Sequence, residues 1–374
     1  MKKTITIVIL CTGLTSAALG QERSVQPALI GTKLVYQSWS QKQTGDFNEF
    51  SVPLYVYYPV NRQFSVTLRG YGASLSGDNK LANLSGLADT QLGLSYFLDK
   101  TNLTFNFGIN APTGKSKLSF EEFETSAAIS NNLFNLQVPN FGQGLNVSAG
   151  FTWAIPASEV LVLGLGASYQ VKGGYQPIRG FIDDYKPGNE ILITAGFNLQ
   201  LGEYTAMNSD VSFTHFAPDR IGQTKVFAAG NRVVVSAQLH RYFNFNQLRL
   251  SARYRTRAKN ELPAVSIGEL APEAARTIPN QFEIMGQYRM RFRENFWGRA
   301  LLEGRFYQEA PGFISFAATP RSAGVHLFGF GMAPEWVISR RATIPIIIKY
   351  FTGSFDRGPE ISGFEIGAEF WLSL

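Results

Sequence analysis

The stretch Asn102-Leu103-Thr104-Phe105-Asn106-Phe107-Gly108-Ile109-Asn110 alternates without a break. Leu103, Phe105, Phe107 and Ile109 fall on one side, and only Asn, Thr and Gly fall on the other. A period of two residues places successive side chains on opposite faces of a β-strand. The pattern returns at Leu145, Val147, Ala149, Phe151, Trp153 and Ile155, and again at Ile191, Ile193, Ala195, Phe197, Leu199 and Leu201. Strands of soluble proteins average about 5–6 residues, whereas a tilted strand that crosses a bilayer needs about 9–11. These strands have the membrane length.

Connections set the topology. Short turns at Pro59–Gln63, Leu98–Asn102, Ile155–Glu159, Leu201–Ser209, Phe243–Gln247, Phe292–Phe296 and Val337–Ala342 alternate with longer segments rich in Gly, Pro and Asn. Those lie near 40–47, 75–88, 113–144, 173–188, 217–230, 258–280, 309–321 and 352–360. Tight turns on one side and long loops on the other are the habit of bacterial outer-membrane barrels. The expectation is an all-β, transmembrane, antiparallel up-and-down β-barrel of about sixteen strands, with fourteen as the alternative. The first strand (33–39) and the ninth (207–216) are the least marked.

Composition agrees with lipid surroundings. Only 17% of the 374 residues are charged and 13% are aromatic, against about 25% charged in soluble domains. Mean hydropathy is −0.04, and no apolar run is long enough for a spanning helix. Met1-Lys2-Lys3, the apolar run Ile5–Leu14 and the small residues Ala17-Ala18-Leu19-Gly20 form a secretory signal peptide, cut after Gly20. The expected division is therefore 1–20 leader and 21–374 barrel. Cys11, the single cysteine, leaves with the leader, and disulfide, thiolate and thiolate-metal chemistry leave with it. Loss of Lys2 and Lys3 lowers the net charge from +6 to +4, too little to argue for nucleic acid. No spacing of His215, His240 and His326 suggests a metal, and no cofactor is expected. Each histidine reads as a pore-lining or interface residue. Thr113-Gly114-Lys115-Ser116 imitates the end of a phosphate loop, but Ile109 stands where its earlier glycine belongs.

The last strand reads Gly363-Phe364-Glu365-Ile366-Gly367-Ala368-Glu369-Phe370-Trp371-Leu372-Ser373-Leu374. Glu365, Gly367, Phe370, Leu372 and Leu374 resemble the carboxy-terminal assembly signal of bacterial outer-membrane barrels, with Leu374 where an aromatic residue usually stands. With the leader, the resemblance covers the mature chain as an architecture. The Gly/aromatic strands also resemble, more loosely, the channel families of fatty-acid and aromatic-compound uptake. It implies a porin-like channel in the outer membrane of a Gram-negative cell. The implied partners are outer-membrane lipids, the barrel-assembly machinery and small-molecule solutes. Sixteen-stranded porins are often trimers, but no interface motif fixes a homo-oligomer here.

A ring of this size encloses water. Ser65, Thr67, Gly93, Ser95, Thr104, Asn106, Ser148, Gly164, Gly166 and Asn198 would line it, or serve close packing in a curved sheet. Strands 11 to 13 differ. Arg249, Arg253, Arg255 and Arg257 alternate with Leu248, Leu250, Ala252 and Tyr254. Arg289, Arg291 and Arg293 stand opposite Ile284, Tyr288 and Met290, and Arg299 and Arg305 follow. An arginine facing lipid at mid-bilayer costs about 2–4 kcal/mol, so all nine are expected on the inner wall. Glu283 and Glu303 cannot neutralise them, and a modest anion preference follows. In the loop 113–144, Ser119-Phe120-Glu121-Glu122 has capping-box spacing, which predicts a helix over about 120–131. The loop holds the ordinal place of the inward constriction loop of general porins. Folded in, Glu121, Glu122 and Glu124 would face the arginines across the pore; the alternative is a helix outside the barrel.

These residues favour passive uptake of small solutes through a channel. A transporter of hydrophobic small molecules is the second reading. An outer-membrane lipid hydrolase, with His240 beside Ser236 and Gln238, is the third and weakest.

Overall fold

The computed structural model describes residues 27–374, apart from 42–45, 79–80, 131–132, 181–184, 265–267, 311–322, 357 and 359. The leader and Cys11 lie outside the described residues.

Sixteen long strands follow one another in chain order: β1 (Leu29–Gln41), β2 (Phe47–Pro59), β3 (Phe64–Gly77), β4 (Thr90–Leu98), β5 (Leu103–Ala111), β6 (Asn146–Pro156), β7 (Leu161–Lys172) and β8 (Glu190–Gly202). The second half is β9 (Thr205–Phe216), β10 (Arg232–Phe243), β11 (Asn246–Arg257), β12 (Gln281–Arg293), β13 (Phe296–Ala310), β14 (Ala323–Ser339), β15 (Ala342–Phe355) and β16 (Glu360–Ser373). Each pairs antiparallel with its predecessor, and β16 pairs with β1 from Leu29↔Ser373 to Gln41↔Ile361. The ring is closed, so no backbone edge meets hydrocarbon. A short strand, Leu84–Leu87, adds a seventeenth member to the sheet but pairs only with the outer end of β3.

The sixteen-strand expectation holds, with two adjustments. The first strand is longer than 33–39, because Leu29–Thr32 pair with both β2 and β16. The turn assigned to Leu201–Ser209 is only Glu203-Tyr204, since Thr205–Ser209 pair with β8 and β10. At two of the tight turns an asparagine supplies the left-handed residue, Asn102 with φ 52° and Asn244 with φ 53°; asparagine tolerates that region better than other side chains.

Phe105, Phe107, Phe151, Trp153, Ile191, Ile193, Phe330 and Met332 are exposed on the outer surface, as a lipid-facing band requires. The inner surface of β3–β8 carries the small polar residues. Close packing holds there: a Cβ at Gly166 would lie 2.7 Å from Thr194 Oγ1. The glycines therefore make room for neighbouring hydroxyls on the curved wall.

Outside the ring, loop residues form two small sheets, Tyr185–Lys186 with Asp219–Ile221 and Thr224–Phe227, and Glu261–Pro263 with Leu270–Pro272. Glu273 holds the second together. Its carboxylate accepts the Asn260 N–H at 3.0 Å, the Thr277 N–H at 3.1 Å and the Thr277 hydroxyl at 2.8 Å. Burial alone would raise its pKa, but these hydrogen bonds outweigh burial and lower it. A depressed carboxylate contributes stability above its ordinary range, near pH 4, and loses it as pH falls through the folded value. Limited proteolysis of 258–280 should therefore accelerate below about pH 4. In Glu273→Gln the cleavage should already be fast at neutral pH, with little further change in acid.

Candidate functional site: the lumenal wall

Strand parity places eight of the nine predicted arginines on the inward register, opposite the outward Leu250, Tyr254, Phe282, Ile284 and Leu302. Arg293 departs from the expectation: it follows a register shift at the end of β12 and pairs with Phe296, so it belongs to the turn and not to the inner wall. Their surroundings divide them. Arg289 is clamped by Glu335, with Nε to Oε2 at 3.1 Å and Nη2 to Oε1 at 2.6 Å, and Arg299 reaches the same carboxylate at 3.7 Å. Arg253 meets Glu283 at 3.4 Å, and Arg305 meets Glu303 at 2.6 Å. Arg291 lies 4.0 Å from the exposed Glu294, and its Nε donates to the Arg293 carbonyl at 3.4 Å. Arg249 and Arg255 bond only neutral amides, Gln238 at 3.1 Å and Gln281 at 2.7 Å. Arg257 rests over the Phe216 ring, 5.1 Å from its centroid. Arg249, Arg255, Arg257 and Arg293 have no ion pair among the described residues.

Glu335 was missed by the sequence reasoning, and so was a second charged belt. Lys33, Glu365 and Glu369 at the β1–β16 seam join Lys349 and Glu303, with Lys–Glu distances of 3.5–3.9 Å. The signal was present: Phe328, Phe330, Met332 and Trp336 point outward, so the odd-numbered Glu335 must point in. Arg232, on the inward face of β10, also escaped notice. It pairs in register with Arg257.

Glu335 is nearly buried and serves two arginines. Breaking a buried pair by removing one partner costs about 3–5 kcal/mol. Glu335→Gln should lower the unfolding midpoint of the barrel and shift any ion selectivity towards anions, because two guanidiniums lose their carboxylate. Reversal potential and thermal unfolding on gels read the two effects separately.

The long loop does enter the ring, but through an unexpected segment. The helix α1 (Phe120–Ile129) starts at the Ser119 capping box, in which Ser119 Oγ accepts the Glu122 N–H and Glu122 accepts the Ser119 N–H. Glu122 also pairs with Lys115 at 2.6 Å, and Glu121 accepts the Ser119 hydroxyl at 2.8 Å. Burial would raise the Glu122 carboxyl, yet Lys115 and the Ser119 amide hold it below its ordinary value. Glu124 is exposed. Among the described residues, none of the three acids pairs with a wall arginine. Of the two arrangements open for these acids, the contacts favour the one without an acidic constriction: Glu121 and Glu122 start and anchor the helix.

What reaches the inner wall is Leu133–Phe141. Leu133, Phe134, Leu136, Val138 and Phe141 are buried with the inward-facing Trp39, Phe47, Leu75, Tyr307, Leu327 and Phe351. Phe134 packs edge-on to Trp39 and Phe47, at centroid distances of 5.1 and 4.8 Å. Two polar ties fix the segment: Glu49 accepts the Gln137 N–H at 3.1 Å, and Arg305 donates to the Leu133 carbonyl. The loop thus lies on the β1–β3 and β13–β15 wall at its outer end and leaves the arginines of β10 and β11 uncovered by it.

The histidines separate. His240 faces inward beside Arg249 in register, whereas His215 and His326 belong to the outward register at the outer rim. His215 meets Asn231 at 2.9 Å and His326 meets Asp356 at 2.8 Å. The hydroxyl of Ser236 donates to Asp210 at 2.6 Å. His240 is four residues along the same strand, about 13 Å away. The Ser-His contact that a hydrolase needs is not made here.

No family model matches the chain, and no curated protein matches it. Solved structures do. The chain is similar to OpdQ of Pseudomonas aeruginosa, with 8% identity, TM-score 0.44, and 94% of this chain and 100% of that chain covered. It is similar to the CymD monoaromatic hydrocarbon channel, with 9% identity, TM-score 0.43 and coverage of 94% and 89%. OmpT, an outer membrane protein of Vibrio cholerae, aligns with 12% identity, TM-score 0.41 and coverage of 95% and 100%.

Proposed function

We propose that the chain is a channel of a bacterial outer membrane that admits small solutes passively and prefers anions. The observation that carries this reading is a closed ring of sixteen strands, apolar outside and polar within, on whose inner wall Arg249, Arg255 and Arg257 have no carboxylate partner among the described residues. Barrels of 16–18 strands leave an aqueous channel, and rings of arginine bias such pores towards anions. Arginine stays protonated at working pH, so these side chains keep their charge. The bias is modest, because Glu283, Glu303, Glu335 and Glu365 offset part of the remaining positive charge of the wall.

The apolar patch around Trp39 and Phe351 supports a second reading, uptake of hydrophobic small molecules. The loop segment fills that patch, however, and beside it the β15–β16 ladder runs unbroken from Ile346↔Ala368 to Ser354↔Glu360 and the β1–β16 ladder from Leu29↔Ser373 to Gln41↔Ile361, which favours the aqueous route.

Reversal potentials in planar bilayers under a potassium chloride gradient test the reading. Chloride should be preferred, and the preference should fade above 0.1 M salt, where screening acts over about 10 Å. Arg249→Gln, Arg255→Gln and Arg257→Gln together should move it towards potassium. A wild-type pore that already favours potassium would refute the basic wall, and folded protein that never conducts would refute the channel.

A further inference from the structure

One level of the inner wall, at the outer mouth, collects charge in an unusual way. Five consecutive strands contribute neighbouring residues there: Lys172 on β7, Glu190 on β8, Phe216 on β9, Arg232 on β10 and Arg257 on β11. The register joins Glu190 to Phe216, and Arg232 to Arg257. Lys172 and Glu190 form an ion pair. The two arginines oppose each other directly, and neither makes an ion pair among the described residues, an arrangement that is destabilising in an antiparallel ladder.

Phe216 offsets part of this cost. Both guanidinium carbons lie over its ring, Arg232 at 5.5 Å and Arg257 at 5.1 Å from the centroid, and the quadrupole of the ring attracts each. The remaining partners are few. Arg232 Nη2 donates to Thr214 Oγ1 at 3.3 Å. The Nε–H groups of both arginines are sealed from solvent and have no acceptor. Arg255 is one inward step away and is satisfied by Gln281. The terminal amino groups of Arg257 make no hydrogen bond among the described residues, and they are the uncommitted donors of this cluster.

We infer that Arg232, Arg257 and Phe216 form a binding station for the oxyanion group of a passing solute, a carboxylate or a phosphate. Two guanidiniums held over one ring offer several N–H donors within reach of one solute group, and the planar fork of arginine matches two oxygens on one centre, an advantage that chloride does not have. The sealed Nε–H groups find no acceptor, and beyond the nearby Glu190, which already pairs with Lys172, the charge of the two arginines is offset by Phe216 and by what binds at the terminal amino groups. Glu190 stays occupied with Lys172 and does not fill the place. The inference deepens the anion-channel reading by adding a saturable site to a general field.

The full chain in planar bilayers tests it. Single-channel conductance is measured against concentration in potassium chloride, potassium acetate and potassium phosphate. Acetate or phosphate conductance should saturate while chloride conductance keeps rising. In Arg232→Gln/Arg257→Gln the half-saturating concentration should rise at least about tenfold, the loss of one charge-assisted pair. Phe216→Leu keeps both charges and should weaken saturation less. Calorimetric titration of the folded, detergent-solubilised chain with inorganic phosphate or acetate reads the same site without any current. Saturation by acetate alone or phosphate alone supports the station and names its group. Linear conductance and no heat with both salts would overturn it, even where chloride preference survives and the channel reading stands. Each variant is first checked for heat-modifiable migration, and unchanged saturation in a folded double variant would equally overturn it.

Discussion

Removing Phe370–Leu374 should abolish the folded, heat-modifiable species on unboiled gels. The five residues carry the pairs Thr32↔Phe370, Gly31↔Trp371, Ile30↔Leu372 and Leu29↔Ser373, and on the other side Thr343↔Trp371 and Ala342↔Leu372. Ser373 and Leu374 also donate to the Arg341 and Ala28 carbonyls at 2.8 Å. Without them the inner-leaflet ends of β1 and β15 present bare N–H and C=O groups to hydrocarbon, at several kcal/mol for each group. The total exceeds the roughly 5–15 kcal/mol by which proteins are stable. We also propose that the assembly machinery reads Phe370, Leu372 and Leu374 on the outward face of that strand. Phe370→Ala and Leu372→Ala, which keep the backbone pairs, separate the two effects: slow insertion with normal final stability would mark recognition. Normal yield of the truncated chain would refute both.

A second large effect is expected at Phe134. Its ring is nearly buried between Trp39 and Phe47, and truncating a buried phenylalanine costs about 3–5 kcal/mol. None of the sixteen ladders passes through this residue, so Phe134→Ala should assemble normally. The loss should fall on docking of Leu133–Phe141 alone. Bilayer currents should change from steady to fluctuating, with a larger open level when the segment leaves the wall. Joining the segment to β1 through Trp39→Cys/Phe134→Cys should suppress the fluctuation under oxidation and restore it under reduction. Steady wild-type current from Phe134→Ala would mean that the segment does not limit the pore.

Much of the ring is legible in the sequence because a bilayer imposes a strict code. Phe105 and Asn106 must part, and a slip of one residue would turn a whole apolar face into water. Ring size followed from the alternation of turns and loops. Pairing across the wall is less visible. Arg289 finds Glu335 across forty-six positions, and nothing local to either residue announces the other. The loop shows a third situation. Its capping box was legible, since Ser119 and Glu122 are neighbours in sequence, and the helix formed where the box required it. The sequence leaves the role of its acids open between the pore and the helix, and the same box consumes Glu122. In Leu133–Phe141 the residues Phe134, Leu136 and Val138 alternate with Asn135, Gln137 and Pro139, a period that does not distinguish an inner wall from an outer surface.

The seam between β1 and β16 has a consequence in time. Gln37 donates to Glu365 at 2.8 Å across 328 residues of chain, and Lys33 pairs with the same carboxylate. Every other ladder of the ring joins neighbours in order and can zip as the chain arrives, whereas this one must wait for the last strand. Contacts so remote in sequence form slowly. Until then β1 remains an open edge, able to pair with any strand that comes near. The maturing molecule therefore spends its longest interval as an unclosed sheet, and its need for a chaperone is greatest at its first strand.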